Sequence, residues 1–166
     1  MNKNKLKLNE EKTELLVVGN RTRLRQVKKE PLTFDPNAVP FQTSAKYLGV
    51  ILDATLSMKE HVTSLCRSSY FHLRKTASIR PYLSDESTAQ LVSSLTLSRL
   101  DYCNSTLSGL PSSSLNRLQK VQNNAARLDL HKRKSDLITP LLEKLHWLPV
   151  EDRIHYKIAI LAFRQF

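Results

Sequence analysis

Lysine and arginine are the residues in this chain whose type and spacing could do chemistry, and the chemistry they suit is phosphate neutralisation. Arg117, Lys120, Asn124 and Arg127 follow one another at three- and four-residue steps, so on a helix they share one face beside a leucine stripe. His131 and the run Lys132-Arg133-Lys134 continue the charge just beyond. Phosphates along a nucleic-acid backbone would meet several such cations together, and each one neutralised releases counterions and steepens the salt dependence of binding. Arg67 and Arg74 stand seven residues apart with Tyr70 and Phe71 between them, which combines charge with a stacking surface. The same residues also fit a solvated helix face and loop, and one of the two aromatics fits a core.

Catalytic chemistry is much less legible. Asp35, Asp53, Asp85, Asp101, Asp129, Asp136 and Asp152 stand singly, so no Asp-Asp pair is present to hold two metal ions. Asp53 closes an apolar strand and reads as a turn acid. His61, His72, His131, His146 and His155 are too dispersed for a zinc spacing, and Cys66 and Cys103 cannot build a tetrahedral site alone. The two cysteines read as small buried side chains. Three glycines leave no glycine-rich phosphate loop, and no Ser-His-acid or Cys-His pattern appears. The expectation is a chain without a cofactor, a small-molecule substrate or an activity of its own.

Composition points the same way. A formal charge of +11 over 166 residues creates a field that attracts polyanions. The length suits one domain, or one and a fraction, and a hydrophobic share of 40% with few aromatics leaves the core to leucine. No apolar run approaches the roughly 18 residues a membrane span needs. The first residues, Met1-Asn2-Lys3-Asn4-Lys5-Leu6-Lys7, have no apolar stretch of secretory type. An intracellular setting, cytoplasmic or nuclear, is the expectation, and there the N-glycosylation sequons at Asn20 and Asn104 carry no weight.

The elements that would position these residues divide near residue 56. Leu15-Leu16-Val17-Val18 and Tyr47 to Leu52 are short apolar runs, while Pro31, Pro36 and Pro40 disfavour helix between them. Residues 13 to 53 therefore predict a small antiparallel β element. From Met58 the period becomes helical: Met58, Val62, Leu65, Ser69, Leu73 and Ala77 predict one helix closed by Pro81. Ser84-Asp85-Glu86 caps the next, which Ala89, Val92, Leu95 and Arg99 carry toward Tyr102. Leu115, Leu118, Val121, Ala125 and Leu128 predict a third helix, Leu141, Leu142 and Leu145 a shorter one, and Ile154, Ile158 and Leu161 a last one over 152–166. The fold class is α+β, with 1–56 as the β-rich part and 57–166 as the helical part. The last helix breaks off in mid-pattern, which suggests a piece of a longer chain.

Several of these stretches, taken in order, resemble the distal palm and thumb of LINE-type (non-LTR retrotransposon) reverse transcriptases. Leu6-Lys7-Leu8-Asn9 and Lys12-Thr13-Glu14 look like the palm segment after the catalytic acids, and Tyr47-Leu48-Gly49-Val50 like the primer-grip hairpin. Arg80-Pro81, Arg99-Leu100-Asp101-Tyr102-Cys103-Asn104, Gly109-Leu110-Pro111 and Ser114-Leu115-Asn116-Arg117-Leu118-Gln119 resemble the thumb. Val121-Gln122-Asn123 and Leu145-His146-Trp147-Leu148-Pro149-Val150 with Arg153-Ile154 continue it. The resemblance implies a primer-grip strand followed by a thumb of four to five helices. It implies a clamp on an RNA, DNA or RNA–DNA hybrid backbone, with Lys46, Tyr47 and Gly49 at the primer end. It also implies the rest of the polymerase as a partner, and Mg2+ only in the intact enzyme. Lys12 looks like the family's lysine that protonates departing pyrophosphate, but without the upstream active site it reads as an exposed lysine before a strand and not as an active-site residue of this chain. Asp129 departs from the pattern, where an apolar or small residue is usual. The competing expectation is a helical protein-interaction module whose exposed leucines bind a protein.

Overall fold

The computed structural model describes residues 13–27, 32–34, 37–39 and 41–164, and the fold is α+β. It forms two compact units, Met1–Glu60 and His61–Phe166.

The first unit holds β1 (Leu15–Leu16), α1 (Arg21–Gln26), β2 (Leu32–Phe34), β3 (Asn37–Val39), β4 (Phe41–Gln42), β5 (Ser44–Tyr47) and β6 (Val50–Asp53). The antiparallel β structure expected from the sequence is present in the β2–β3 and β5–β6 pairs. Among the described residues the strands pair as three two-stranded sheets, of which β1–β4 is parallel. The β5–β6 hairpin aligns Tyr47 with Val50 across a two-residue turn. Both turn residues are left-handed, Leu48 at φ 45° and Gly49 at φ 85°, which matches the twist of the paired strands. Glycine accepts that conformation freely; leucine does not. Asn20 caps α1, its side-chain oxygen accepting from the Arg23 amide at 2.8 Å. That short helix was not foreseen, because a run so rich in arginine shows no apolar period.

Asp53 ends β6 and organises the connection that follows. Its carboxylate accepts from the Thr55 amide (3.0 Å), the Ser57 amide (3.1 Å) and the Met58 amide (2.8 Å), and from both hydroxyls. Burial alone would raise its pKa, yet these bonds win and hold it at about 2. Met58 is buried but left-handed at φ 56°, so it precedes the next helix instead of opening it.

The second unit begins within α2 (Lys59–Ile79). Its buried stripe runs through Val62, Cys66, Ser69, Leu73 and Thr76. Leu65 and Ala77 lie at opposite edges of that stripe, about 60° from its centre at 100° per residue, so one is half-buried and the other exposed. A short 3₁₀ turn, Arg80–Tyr82, leads to α3 (Asp85–Val92), which Ser84 caps by accepting from the Ser87 amide at 3.1 Å. A π-helical stretch, Ser93–Leu97, then joins α3 to α4 (Ser98–Asp101). The wider turn adds a residue, so burial passes from Val92 to Thr96, Leu97 and Leu100 and bypasses Leu95 and Arg99. The Ser94 and Ser98 hydroxyls donate to carbonyls four residues back and favour that widening.

After a 3₁₀ turn at Asn104–Leu107 come α5 (Ser112–Asp129), α6 (Thr139–Lys144) and α7 (Val150–Phe163). Leu118, Val121, Ala125 and Ala126 of α5 are fully buried and form the centre of the core with Val62, Val92, Leu107 and Ile154. Both α5 and α6 end in the paired 6→1 and 5→2 bonds of a Schellman motif. In α5 the Lys132 amide donates to Arg127 and the His131 amide to Leu128; in α6 the Trp147 amide donates to Leu142 and the His146 amide to Glu143. Histidine, at φ 52° and φ 54°, stands in each case where glycine is usual. Among the described residues no helix is long and apolar enough to cross a membrane.

Candidate nucleic-acid interface

The cations singled out from spacing fall largely on two helices that run side by side. Arg117 Nη2 donates to Thr63 Oγ1 at 3.1 Å, and Asn124 Nδ2 donates to the Tyr70 hydroxyl at 3.3 Å. Both pairs are 54 positions apart, so α2 and α5 advance together and are parallel. On α2 the positions of Thr63, Arg67, Tyr70 and Arg74 fall within about 60° of one another, beside the buried stripe. On α5 the positions of Arg117, Lys120 and Asn124 occupy the matching flank. The seam is therefore polar, and cations flank it from both sides.

Acid is scarce there. α2 carries Lys59, Arg67, Arg74 and Lys75 against Glu60 alone, and α5 carries Arg117, Lys120 and Arg127 against Asp129, which is buried. Burial raises the Asp129 pKa, while the Arg80 charge lowers it in part. Aromatic surface sits among the cations: Phe71 is 50% exposed with the Lys75 ammonium 5.9 Å from its ring centre. Tyr70 is half-buried and is the aromatic that meets the neighbouring helix. Cys66 lies beneath the seam, its thiol pushed up by burial and drawn part of the way back by Arg117.

Arg127 is placed differently. It is half-buried, its Nη2 donates to the Asp136 carbonyl at 3.3 Å, and its Nε is buried without a partner. It straps down the loop after α5. Lys132, Arg133 and Lys134 on that loop are exposed, and Asp136 folds it by accepting from the Arg133 amide at 2.7 Å. Lys46, Tyr47 and Gly49 belong to the first unit, at and beside the tip of the β5–β6 hairpin, where Tyr47 is 67% and Leu48 71% exposed. Lys12 lies outside the described residues. Among those described, no three His, Cys, Asp or Glu side chains gather as a metal site would require.

The stretches that carry the family resemblance tie the helical unit together. Arg153 of α7 forms a two-pronged bond with Asp101 of α4, Nε to Oδ1 at 2.8 Å and Nη2 to Oδ2. Arg80 donates to the carbonyls of Leu83 (3.1 Å) and Leu128 (3.4 Å) and pairs with Asp85, joining the end of α2 to α3 and α5. Gln122, fully buried, donates to the Leu148 carbonyl at 2.8 Å and accepts from Gln119 Nε2 at 2.9 Å. Gln119 Oε1 in turn accepts from the Val150 amide at 2.8 Å, and so supplies the α7 cap that Pro149 lacks. Spacing could not have found the pairings of Arg80 with Leu128, Gln122 with Leu148, Gln119 with Val150 and Arg153 with Asp101, which join residues 26 to 52 positions apart. Comparison of the chain with protein-family models, curated proteins and solved structures finds no match.

Proposed function

We propose that this chain is the distal palm and thumb of a LINE-type reverse transcriptase, and that the α2–α5 seam grips a nucleic-acid backbone without reading its sequence. The observation that carries the reading is the seam: two parallel helices in register, with Arg67, Arg74 and Lys75 on one and Arg117 and Lys120 on the other. Cations repeating at seven-residue steps recur every 10 Å or so along a helix, so an extended polyanion meets them in succession. Phe71 supplies an exposed ring for stacking. The resemblance gives this surface its context, because the stretches that carry it are those that hold α3, α4, α5 and α7 in place. In this reading the catalytic aspartates and their Mg2+ belong to the polymerase portion upstream, and this chain does no chemistry by itself.

The test is fluorescence anisotropy of a labelled RNA–DNA primer–template across a salt series. Wild type should bind with a steep slope, and R67A/R74A/K120A should lose roughly two to three units of the slope of log K against log salt. Binding by a folded triple variant equal to wild type, or no binding by wild type at low salt, overturns the assignment. A protein-interaction module is favoured by one observation, the exposure of Tyr156, Ile158, Leu161 and Phe163 along α7. Apolar docking of that kind would change little with salt.

A further inference from the structure

Half of the Phe71 side chain faces solvent on α2, and its neighbours on the helix are polar. Arg67 and Ser68 stand one turn before it, Arg74 and Lys75 one turn after, so three cations frame the ring. All three are exposed, and among the described residues none of them pairs with an acid. The Lys75 ammonium lies 5.9 Å from the ring centre, at the outer limit of a cation–π contact, where a phosphate can draw it away. His72 meets the ring at 82° with centroids 5.3 Å apart, and half of the side chain still stays open. Tyr156 on α7 shows the contrast. It is 60% exposed, but Asp152 stands four residues before it and the nearby Arg153 is held by Asp101.

A ring framed by cations suits a base framed by phosphates, provided that the base has a free face. In a duplex each base is covered by its neighbours, and a ring that enters must first unstack a step. That cost consumes a gain of the size that base–aromatic stacking gives, about five- to a hundredfold in affinity per base. An unpaired strand presents its faces without it. Charge alone favours the opposite order, because a duplex carries the denser array of phosphates. We propose that the α2 side of the seam binds a single strand of nucleic acid in preference to a duplex, with a base on Phe71 and phosphates on Arg67, Arg74 and Lys75. On a primer–template the strand taken is the unpaired overhang. The inference rests on the clamp reading and deepens it by naming the strand.

The experiment follows the anisotropy of a labelled oligothymidine, alone and annealed to its complement, as the full chain is added at matched salt. Wild type should hold the single strand about fivefold or more tighter than the duplex. Phe71→Leu keeps the apolar bulk and removes the π face. It should weaken single-strand binding about five- to a hundredfold while leaving duplex binding and the salt slope unchanged, with a far-UV spectrum like that of wild type. Phe71→Trp should bind the single strand at least as tightly as wild type. Tyr156→Ala, at a similarly exposed ring without the frame of cations, should change neither. R67A/R74A/K120A should lower the salt slope for both ligands. Duplex binding as tight as single-strand binding overturns the inference, as does wild-type affinity for the single strand in a folded Phe71→Leu chain. In either case a lower slope in the triple variant leaves the clamp standing. No binding of either ligand by wild type at low salt overturns both.

Discussion

Replacing Gln122 by leucine tests whether the Gln119–Gln122 pair holds α7 onto α5. The side chain is fully buried, and leucine keeps most of its volume while removing both hydrogen bonds. Gln119 Nε2 retains Asn123 Oδ1 at 2.8 Å, so the main loss is the Leu148 carbonyl, which gives up its donor. One lost bond and one part-buried acceptor left short cost about 1–3 kcal/mol. With a urea dependence of about 1.5 kcal/mol per molar for a unit of this size, the midpoint should fall by about 1–2 M. Trp147 is the lone tryptophan and neighbours Leu148, so its fluorescence reports this loop while circular dichroism reports the helices. Gln119→Leu should cost a similar amount through the Val150 amide, and the double variant less than the sum, since the two side chains share a bond. A midpoint shift under about 0.3 M with unchanged slope would refute the idea that this pair clamps the loop.

Three further outcomes follow from the geometry. Asp53→Asn should remove a pH-dependent increment in the first unit. The folded pKa is depressed from 3.8 to about 2, so the increment is present above the unfolded value and fades as pH falls through the folded one. It should amount to about 1–2 kcal/mol after allowing for partial exposure, and wild-type and variant melting curves should converge once the pH is well below the folded value; a gap that persists there would point to shape, not charge. His131→Gly should stabilise the α5 terminus by about 0.5–1 kcal/mol, because glycine enters the left-handed region without a steric cost, and a rise of a few degrees in Tm measures it. A double-mutant cycle on Asp101→Asn and Arg153→Met should give a coupling of about 1 kcal/mol, toward the upper end for exposed pairs, because the bond is two-pronged and the arginine side chain only 20% exposed. Coupling indistinguishable from zero in thermal melts would leave the pair without a structural role.

Local rules wrote much of this fold into the chain. The change from short apolar runs to a 3.6-residue period near Met58 determined α+β order, and Ser84 and Pro81 determined where one helix stops and the next starts. The turn at Leu48-Gly49 splits the run from Tyr47 to Leu52, which reads in sequence as one strand. The charge of +11 and the cation spacing on α2 and α5 were equally plain, because a helix face is a property of one segment. The seam itself was not. Its register rests on Thr63 meeting Arg117 and Tyr70 meeting Asn124, side chains 54 positions apart whose pairing no period encodes. The left-handed histidines were hidden for a related reason: residue type favours glycine there, and the surrounding Schellman bonds override it. Gln122 and Asn104 read as ordinary polar residues until packing buried one with partners and left the other with an acceptor empty. Sequence thus determined the helices after Met58 and where the positive charge lies, but not α1. Tertiary structure decided which polar groups are spent on the scaffold and which stay exposed, because burial and partnership are set by distant segments meeting in space.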